Sequence, residues 1–267
     1  MTALQIALIV VGGAAALALI AVFFRLSNNL IKTTRYTVPL EVEKSVKVVQ
    51  VSDLHGKRFG AHNVKLVEKI KNLSPDVIAI TGDIIHKYTE RNKRVALETV
   101  SALAEIAPVL YISGNHEMRN KGYRFFRTYL MEAGATVLDN SETEVCGVTF
   151  VGLNGASNRN DTVFKVAKNT RNKVLLAHMP HFFERYVTAG YGLVLSGHAH
   201  GGQWRVPFTK IGLFAPGQGV FPKYTEGLHQ SGCTKMIISR GLGNSEFPLR
   251  LFNRPELVEI NIVPEQI

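Results

Sequence analysis

Short runs of β-branched and aliphatic residues recur along the chain, and each is bounded by Gly, Pro, Asn, Asp or Ser. Such runs are typical of strands that are buried in a sheet. Between the early runs, residues 63–73 and 93–106 carry apolar side chains at three- and four-residue spacing, which predicts helices. The alternation of strands and helices predicts an α/β fold. The predicted strands are Val46–Val51, Val77–Thr81, Val109–Ser113, Val148–Leu153, Val174–Ala177, Leu193–Ser196, Met236–Ser239 and Leu257–Ile262.

The amino-terminal pattern differs from the rest, because residues 1–24 contain no charged side chain. Leu4–Phe24 is a run of 21 uncharged residues that are all apolar or small except Gln5. A helix rises about 1.5 Å per residue, so this run is long enough to cross a hydrocarbon core of roughly 30 Å. The alternative is a cleaved signal peptide, which would begin with basic residues that are missing here. We therefore predict a transmembrane anchor over residues 1–25, a tether over 26–45 and a globular domain over 46–267.

Basic residues after the anchor predict its orientation. Arg25, Lys32 and Arg35 follow the apolar run closely, and positive charge is retained on the cytoplasmic side of membranes. We expect a single-pass protein of the cell membrane whose globular domain faces the cytoplasm. The opposite orientation stays open, because only a few charges support the inference.

Composition narrows the class of protein. The chain has 267 residues, of which 46% are hydrophobic and 19% charged, so a disordered chain is excluded and one large domain is expected. The net charge of +10 fits either a solvated basic surface or attraction to anionic lipids and phosphates. The two cysteines, Cys146 and Cys233, lack metal or redox spacing, and we predict no disulfide.

Polar side chains of the metal-binding type follow five of the predicted strands. The carboxyl ends of strands in an open α/β sheet face one crevice, so these side chains are expected to converge there. Carboxylate, amide and imidazole groups together suit a borderline divalent metal such as Mn, Fe or Zn. The candidate ligands are Asp53, His55, Asp83, Asn115, His178, His198 and His200.

The spacing of these residues has a physical interpretation. Asp53 and His55 are two residues apart, so in an extended chain both side chains point the same way, and His198 and His200 repeat the pattern. Each motif by itself is weak, since an isolated Asp-x-His is usually a surface turn and an isolated histidine is usually packed. The five motifs in order, each after a strand, predict a metal centre.

The ordered motifs Asp53-x-His55, Gly82-Asp83, Gly114-Asn115-His116, His178 and Gly197-His198-x-His200 resemble those of the calcineurin-like metallophosphoesterases. The resemblance implies a four-layer αββα sandwich and two divalent ions. It further implies that Asp53, His55 and His200 hold one ion, that Asn115, His178 and His198 hold the other, and that Asp83 bridges them. His116 is implied as the catalytic residue beside the ions. His86 stands where many members have an acidic residue or Asn, and we expect it at the rim of the site.

A narrower resemblance covers the last quarter of the chain. Residues 201–204, 215–219 and 239–243 are similar to a membrane-associated bacterial branch of the family. That branch includes enzymes that cleave the pyrophosphate of UDP-2,3-diacylglucosamine and also members whose substrate is open. The resemblance implies a membrane setting without deciding the substrate.

Aromatic and basic residues alternate between Trp204 and Tyr224, a mixture that suits a bilayer interface. The alternative is a long loop whose aromatic residues pack onto the sheet. We predict that this segment faces a membrane or substrate; the residues assigned to it are Trp204, Arg205, Phe208, Lys210, Phe214 and Arg240.

The leading hypothesis is a membrane-anchored dimetal hydrolase acting on a phosphate or pyrophosphate ester of a lipid-linked substrate, such as a UDP-diacylglucosamine-type nucleotide lipid. Its expected partners are the lipid bilayer and that substrate, with no specific protein partner. One alternative is a phosphodiesterase for nucleotides or nucleic acid, to which the basic charge is also suited. Another is an envelope-binding protein with a residual metal site.

Overall fold

The computed structural model describes residues 1–155, 171–245 and 247–265. The first half alternates strands and helices, as the apolar pattern predicts. Its elements are α1 Ala3–Asn29, β1 Lys32–Leu40, β2 Val46–Val51, α2 Val64–Lys71, β3 Val77–Ile80, α3 Glu90–Ala104, β4 Val109–Tyr111, α4 Asn115–Met118, α5 Tyr123–Glu132 and β5 Ala135–Val137.

The second half contains more strands and fewer helices. Its elements are β6 Ser141–Val145, β7 Val148–Leu153, β8 Val174–Ala177, α6 Phe183–Thr188, β9 Leu193–Ser196, β10 Phe214–Ala215, β11 Gly219–Val220, β12 Gly227–Ser231, β13 Thr234–Ile238 and β14 Glu256–Pro264. All eight strands expected from the apolar runs are thereby confirmed, with ends that differ by at most two residues.

The strands form two six-stranded sheets and one short hairpin. The first sheet has the order β1-β14-β2-β3-β4-β5, in which β2 to β5 are mutually parallel and β14 runs antiparallel to β2. The second has the order β12-β13-β9-β8-β7-β6, with β13, β9, β8 and β7 parallel. Parallel strands bring their carboxyl ends to one edge of each sheet, so the loops after β2, β3, β4, β8 and β9 can meet.

Alternate residues of the central strands enter different apolar clusters. Val49 and Ile78 pack with residues of α2, α3 and α5, whereas Val48 and Val77 pack with residues of the second sheet, such as Val174. A third cluster joins the second sheet to α6. Because successive side chains of a strand point to opposite faces, strands buried on both faces must be apolar throughout, which explains the continuous runs.

The segment predicted as a tether is largely a strand. Lys32–Leu40 pairs in parallel with β14 over nine residues. Its exposed positions are polar or charged, while Val38 and Leu40 are buried, and Pro39 is tolerated because β1 is an edge strand. This alternation resembles a linker in the sequence, but it is the pattern of an edge strand with one face on the core.

The helix α1 continues beyond the predicted anchor to Asn29. It is long and apolar enough to cross a membrane, and its most apolar stretch is not covered by the described chain. A signal sequence near an amino terminus has the same properties, so length and composition alone make α1 a candidate span.

Candidate metal centre

The predicted ligands all follow strands, but the backbone of five of them is not extended. Asp53, His55, Asp83, His198 and His200 have φ angles between 47° and 67°. This left-handed region is uncommon for residues other than Gly, and such strain concentrates at functional sites. The extended geometry assumed for Asp53-x-His55 and His198-x-His200 is therefore wrong. Tight left-handed turns, rather than the alternation of a strand, direct these side chains inward.

Two groups of potential ligands form where loops that follow strands of both sheets meet. In the first, His200 Nε2 lies 3.4 Å from Asp53 Oδ1 and 3.1 Å from His55 Nε2. In the second, His178 Nε2 lies 3.1 Å from Asp83 Oδ2, and the ring of His198 is 5.0 Å from that of His178. Within each group the ligand atoms all lie within 4.8 Å of one another, which is close enough to share one ion.

Asp83 lies between the two groups. Its Oδ2 is 3.7 Å from His55 Nε2 in the first group as well as 3.1 Å from His178 Nε2 in the second. Asn115, the first residue of α4, is buried as well. The structure thus brings six of the seven predicted ligands together in two groups, and Asn115 directly follows Gly114, which packs against Asp83.

The lone pairs of these residues that hydrogen bonds leave unsatisfied suit a divalent cation. His178 Nδ1 lies 2.7 Å from the carbonyl oxygen of Thr81, so it donates its proton there and leaves the Nε2 lone pair facing the Asp83 carboxylate. Among the described residues, Asn115 Oδ1 is buried without a hydrogen-bond partner, and His178 Nε2 is buried with the Asp83 carboxylate facing it. Buried acceptors that face one another require a proton or a cation between them.

Burial keeps three of the four histidine ligands in the state that binds metal. It lowers the pKa of His55 to about 3 and lowers the pKa values of His198 and His200 well below the usual range. These imidazoles are neutral near pH 7, and neutral imidazole is the metal-binding form.

The pair of Asp83 and His178 behaves differently. Burial lowers the pKa of His178, but Asp83 and Asp53 outweigh it and raise that pKa to about 10. Burial raises the pKa of Asp83, and His178 more than reverses this, so the carboxyl stays ionised. Burial also raises the pKa of Asp53 to about 6. In the metal-free protein, a proton on His178 therefore balances the Asp83 carboxylate.

His116 and His86 lie beside the first group. His116 Nδ1 is 2.9 Å from the carbonyl oxygen of His86 and donates to it, while Nε2 lies 3.9 Å from Asp83 Oδ2. The Nδ1 atoms of His86 and His55 are 3.2 Å apart. His86 was expected only at the rim; it contacts a predicted ligand directly, and a third group of His55, His86 and His116 results.

Glu117 belongs to the site although no role was assigned to it from the sequence. Its carboxylate accepts hydrogen bonds from the backbone N–H groups of Asp83, Ile85 and Gly114 at 2.9, 3.0 and 2.7 Å. It therefore joins the loop after β3 to the loop after β4. Its position three residues after Gly114, at the start of a helix, is that of the glutamate in a capping box and could have indicated this role.

Two glycines are required by the ligands. A Cβ at Gly114 would lie 2.1 Å from Asp83 Oδ1, and one at Gly197 would lie 2.5 Å from Asp53 Oδ2. These glycines leave room for the carboxylates of the loops packed against them.

A hydrophobic rim of exposed apolar side chains lies beside the site. Trp204 stacks on Phe247 at 5.1 Å between ring centroids, and its Nε1 donates to the carbonyl oxygen of Leu249. A small cleft is lined by His200 of the first group and by Phe214 and Phe247 of the rim. The members of the rim are Trp204, Val206, Phe208, Ile211, Leu213, Phe214, Phe221, Phe247, Leu249 and Phe252, each at least 38% exposed.

The basic residues assigned to this surface differ among themselves. Lys210 is exposed, as expected. Arg205 and Arg240 instead point inward and bind Glu226 at 2.7 and 2.9 Å, and Arg240 also binds Glu256 at 3.1 Å. This differs from the prediction that both arginines face a membrane or substrate. A guanidinium that folding removes from water needs carboxylate partners, and these two share one.

Comparison with known proteins agrees with this geometry. Residues 46–202 match the family model of calcineurin-like phosphoesterases. The metallophosphoesterase YkuE of Bacillus subtilis is 29% identical over 87% of this chain and 85% of its own length. Phosphodiesterase YaeI of Escherichia coli is 30% identical over 81% of this chain and 82% of its own. The crystal structure of TT1561 of Thermus thermophilus shares the fold, with a TM-score of 0.50 and 15% identity over 74% of this chain and 90% of that one.

Fold, site and relatives define a hydrolase of mixed α/β architecture that uses divalent metal ions. The chain belongs to the calcineurin-like phosphoesterase family. It is a metallophosphoesterase.

Proposed function

We propose that this protein hydrolyses a phosphodiester or pyrophosphate bond in a lipid-linked substrate at the surface of a membrane to which it is anchored. The observation that carries the proposal is that His200 of the candidate metal centre and the rim residues Phe214 and Phe247 line the same small cleft, so the hydrophobic rim lies next to the metal centre. A phosphate on an amphiphile could bind at the metal centre while its apolar part stays against the adjacent rim.

Seven residues would hold two ions, as the resemblance to the family implies. Asp53, His55 and His200 would bind one ion, and Asn115, His178 and His198 the other. Asp83 would bridge them, since its carboxylate is the one within 3.7 Å of a histidine from each group. The mixed oxygen and nitrogen ligands are compatible with Mn, Fe or Zn, and we propose manganese as the first metal to test.

Bound ions of this type supply a hydroxide nucleophile near neutral pH and neutralise charge on the phosphoryl oxygens. The protein's contribution is to orient the groups around the phosphate. His116 has its Nδ1–H fixed to the His86 carbonyl, so Nε2 is the atom directed toward the centre, and the doubly protonated ring would deliver its Nε2 proton to the leaving oxygen. Glu117 and the glycines hold the ligand loops together and need not touch the substrate.

Three features support a membrane setting. The helix α1 exposes its apolar side chains from Ala3 to Val22, and in water this surface would be unfavourable. The ring of Phe252 in the rim lies 5.2 Å from Phe23 in α1, so the rim continues onto the helix. Exposed Lys210 lies within the rim sequence, where it can meet an anionic headgroup.

The proposed substrate class rests on observations beyond the geometry of the metal centre. A relative named as a phosphodiesterase supports cleavage of a diester. The resemblance of residues 201–204 and 239–243 to a membrane-associated branch supports a nucleotide lipid of the UDP-diacylglucosamine type. Arg25, Lys32 and Arg35 support a cytoplasmic catalytic domain.

The second candidate is a phosphodiesterase for free nucleotides or nucleic acid. It is favoured by the net charge of +10, which attracts any polyphosphate. The two candidates differ in whether the hydrophobic rim affects turnover, and they share the same metal chemistry.

The enzymatic part of the proposal is tested with the full-length protein in detergent, a chromogenic phosphodiester and Mn²⁺. Asp83→Ala should lower turnover by more than about 100-fold, because a shared ligand to both ions is lost. Circular dichroism establishes that the variant is folded. Absence of turnover in the wild type with Mn²⁺, Fe²⁺ or Zn²⁺, or equal turnover in the variant, would contradict a metal-dependent esterase.

The membrane part is tested with two exposed phenylalanines. Phe208 lies in the hydrophobic rim and is fully exposed, whereas Phe125 lies on α5 and is 70% exposed. Phe208→Ser should reduce hydrolysis of a nucleotide diacyl-lipid in vesicles by about 10-fold or more, since burying a phenylalanine contributes roughly 1.5–3 kcal/mol. Neither Phe208→Ser nor the control Phe125→Ser should alter turnover of the soluble ester. Equal vesicle activity in both variants favours the nucleotide alternative.

We infer also that the two sheets stack face to face with helices outside, the αββα order implied by the resemblance. The apolar cluster shared by both sheets and the separate clusters of each sheet with its helices support this layering.

A further inference from the structure

The carboxyl end of α1 is buried, in contrast to the rest of the helix. Ser27 and Asn28 are 6% and 7% exposed, while the most apolar stretch of α1 has no cover from the described chain. A helix on a flexible tether would have no reason to bury polar residues at its end. The end of α1 is therefore docked onto the globular domain.

Asn28 makes this docking specific. Its Oδ1 accepts a hydrogen bond from Arg250 N at 2.8 Å, and its Nδ2 donates to Arg250 O at 3.3 Å. The Nζ of Lys57, two residues after His55, donates to the carbonyl oxygen of Asn28. A single side chain thus satisfies both backbone groups of Arg250, 222 residues away in sequence.

Arg250 connects this end of α1 to the metal centre. Its side chain is completely buried and donates through Nε and Nη2 to the carbonyl oxygens of Gly243 and Arg240. Its Nη2 also lies 3.4 Å from His200 Nδ1. Three residues further on, Asn253 Nδ2 donates to the backbone oxygen of His200 at 2.6 Å. The loop that Asn28 holds therefore contacts both the ring and the backbone of His200.

The geometry points to the following role: Asn28 and Arg250 are positioning residues that couple the carboxyl end of α1 to the metal ligand His200. The helix end is in this view a structural component of the first ion site and not merely a membrane attachment. The inference rests on the metal-binding role of His200 and is independent of the lipid substrate. Displacement of the helix end would shift the Arg250 loop and loosen one of the two ions.

Two features of the contacts make the coupling selective for one ion. His200 belongs to the group with Asp53 and His55, and Gly243 N, in the same loop as Arg250, donates to Asp53 O at 2.6 Å. By contrast, His178 is held by Thr81 through a hydrogen bond that does not involve this loop. Loss of the Asn28 contacts should therefore weaken the ion at Asp53, His55 and His200 and spare the other.

The test compares two neighbouring asparagines in the full-length protein in detergent. Asn28→Ala removes both hydrogen bonds to Arg250. Asn29→Ala is the matched control, because Asn29 is exposed and its Nδ2 donates only within α1, to Arg25 O at 3.0 Å. Metal-free protein is titrated with Mn²⁺ alone, and bound ions are counted by the electron paramagnetic resonance signal of free Mn²⁺. Thermal unfolding of each variant is measured in parallel.

The expected result is two binding steps in the wild type and in Asn29→Ala. In Asn28→Ala, one step should weaken about tenfold, the lower end of the effect of removing a residue that supports a metal ligand, while the other is unchanged. Saturating Mn²⁺ should restore kcat, since no reacting group is lost. Asn28→Asp keeps the acceptor for Arg250 N and should fall between wild type and Asn28→Ala; it carries the test if Asn28→Ala does not fold.

Equal Mn²⁺ affinities in wild type, Asn28→Ala and Asn28→Asp would overturn the coupling. Equal weakening of both steps would overturn it too, because that is the signature of general destabilisation. A wild type that binds no Mn²⁺ would overturn instead the metal centre on which the inference rests, so the two failures are distinguishable.

Discussion

The proton on His178 allows a quantitative prediction about metal binding. Its Nδ1 is committed to Thr81 O, so the proton that gives this imidazole a pKa of about 10 lies on Nε2, facing Asp83. An ion bound by Nε2 must displace that proton. Each pH unit below the pKa should then weaken the apparent affinity roughly tenfold, or about 1.4 kcal/mol.

The predicted loss between pH 8.5 and 6.5 is about 100-fold for the ion bound by His178. For the ion bound by His55 and His200 it is close to none, because burial lowers the pKa values of both and they carry no proton in this range. Below pH 6 that ion also weakens, since burial raises the pKa of Asp53 to about 6 and its carboxyl takes up a proton.

Calorimetric titration of the metal-free full-length protein with Mn²⁺, in two buffers with different ionisation enthalpies, counts the protons released. At pH 7.5 one proton should be released for two ions bound. Release of none, with affinities independent of pH from 6.5 to 8.5, would refute the proton assignment. The same raised pKa of His178 stabilises the metal-free fold below pH 6.5, and this contribution should be lost as pH rises toward 10.

Three further predictions follow from contacts at the site. His116→Asn should lower kcat about 10²–10⁴-fold with two Mn²⁺ still bound, as expected for a proton donor, whereas loss of an ion would make it a ligand. Gly114→Ala places a Cβ 2.1 Å from Asp83 Oδ1 and should abolish binding of both ions; a variant that retains them by metal analysis would show that the loops can separate. Arg205→Ala removes a buried partner of Glu226 and should lower the free energy of unfolding by about 2 kcal/mol, or roughly 4–8 °C in Tm, without weakening vesicle binding. An unchanged Tm together with weaker vesicle binding would contradict this and indicate that Arg205 faces the membrane.

The local pattern of apolar residues was sufficient to predict the strands. It was also sufficient to predict which side chains gather at the strand ends. Val46–Val51 and Val174–Ala177 were found within their true bounds, because strands buried on both faces must be apolar throughout. Asp53 and His178 could be expected to meet because parallel strands deliver their carboxyl ends to one edge. That convergence depends on the direction of the strands and on their burial. Both can be recognised from the residues of a single segment.

Only the tertiary structure showed where polar side chains point and which residues they bind. Arg205 and Lys210 look alike in the sequence, yet the first is buried against Glu226 and the second is exposed. The strand β1 resembled a linker because its partner, β14, lies more than 200 residues away. A charged residue has the same local pattern whether it faces water or a distant carboxylate.

The amino-acid sequence by itself determined the class of chemistry, since the identity and order of the ligands are local properties. Only the tertiary structure decided that Asn28 at the end of an apolar helix meets Arg250, and that Arg250 meets His200. These contacts join segments about 222 and 50 residues apart. No periodicity within a segment specifies them, because they depend on how the completed sheets bring distant loops together.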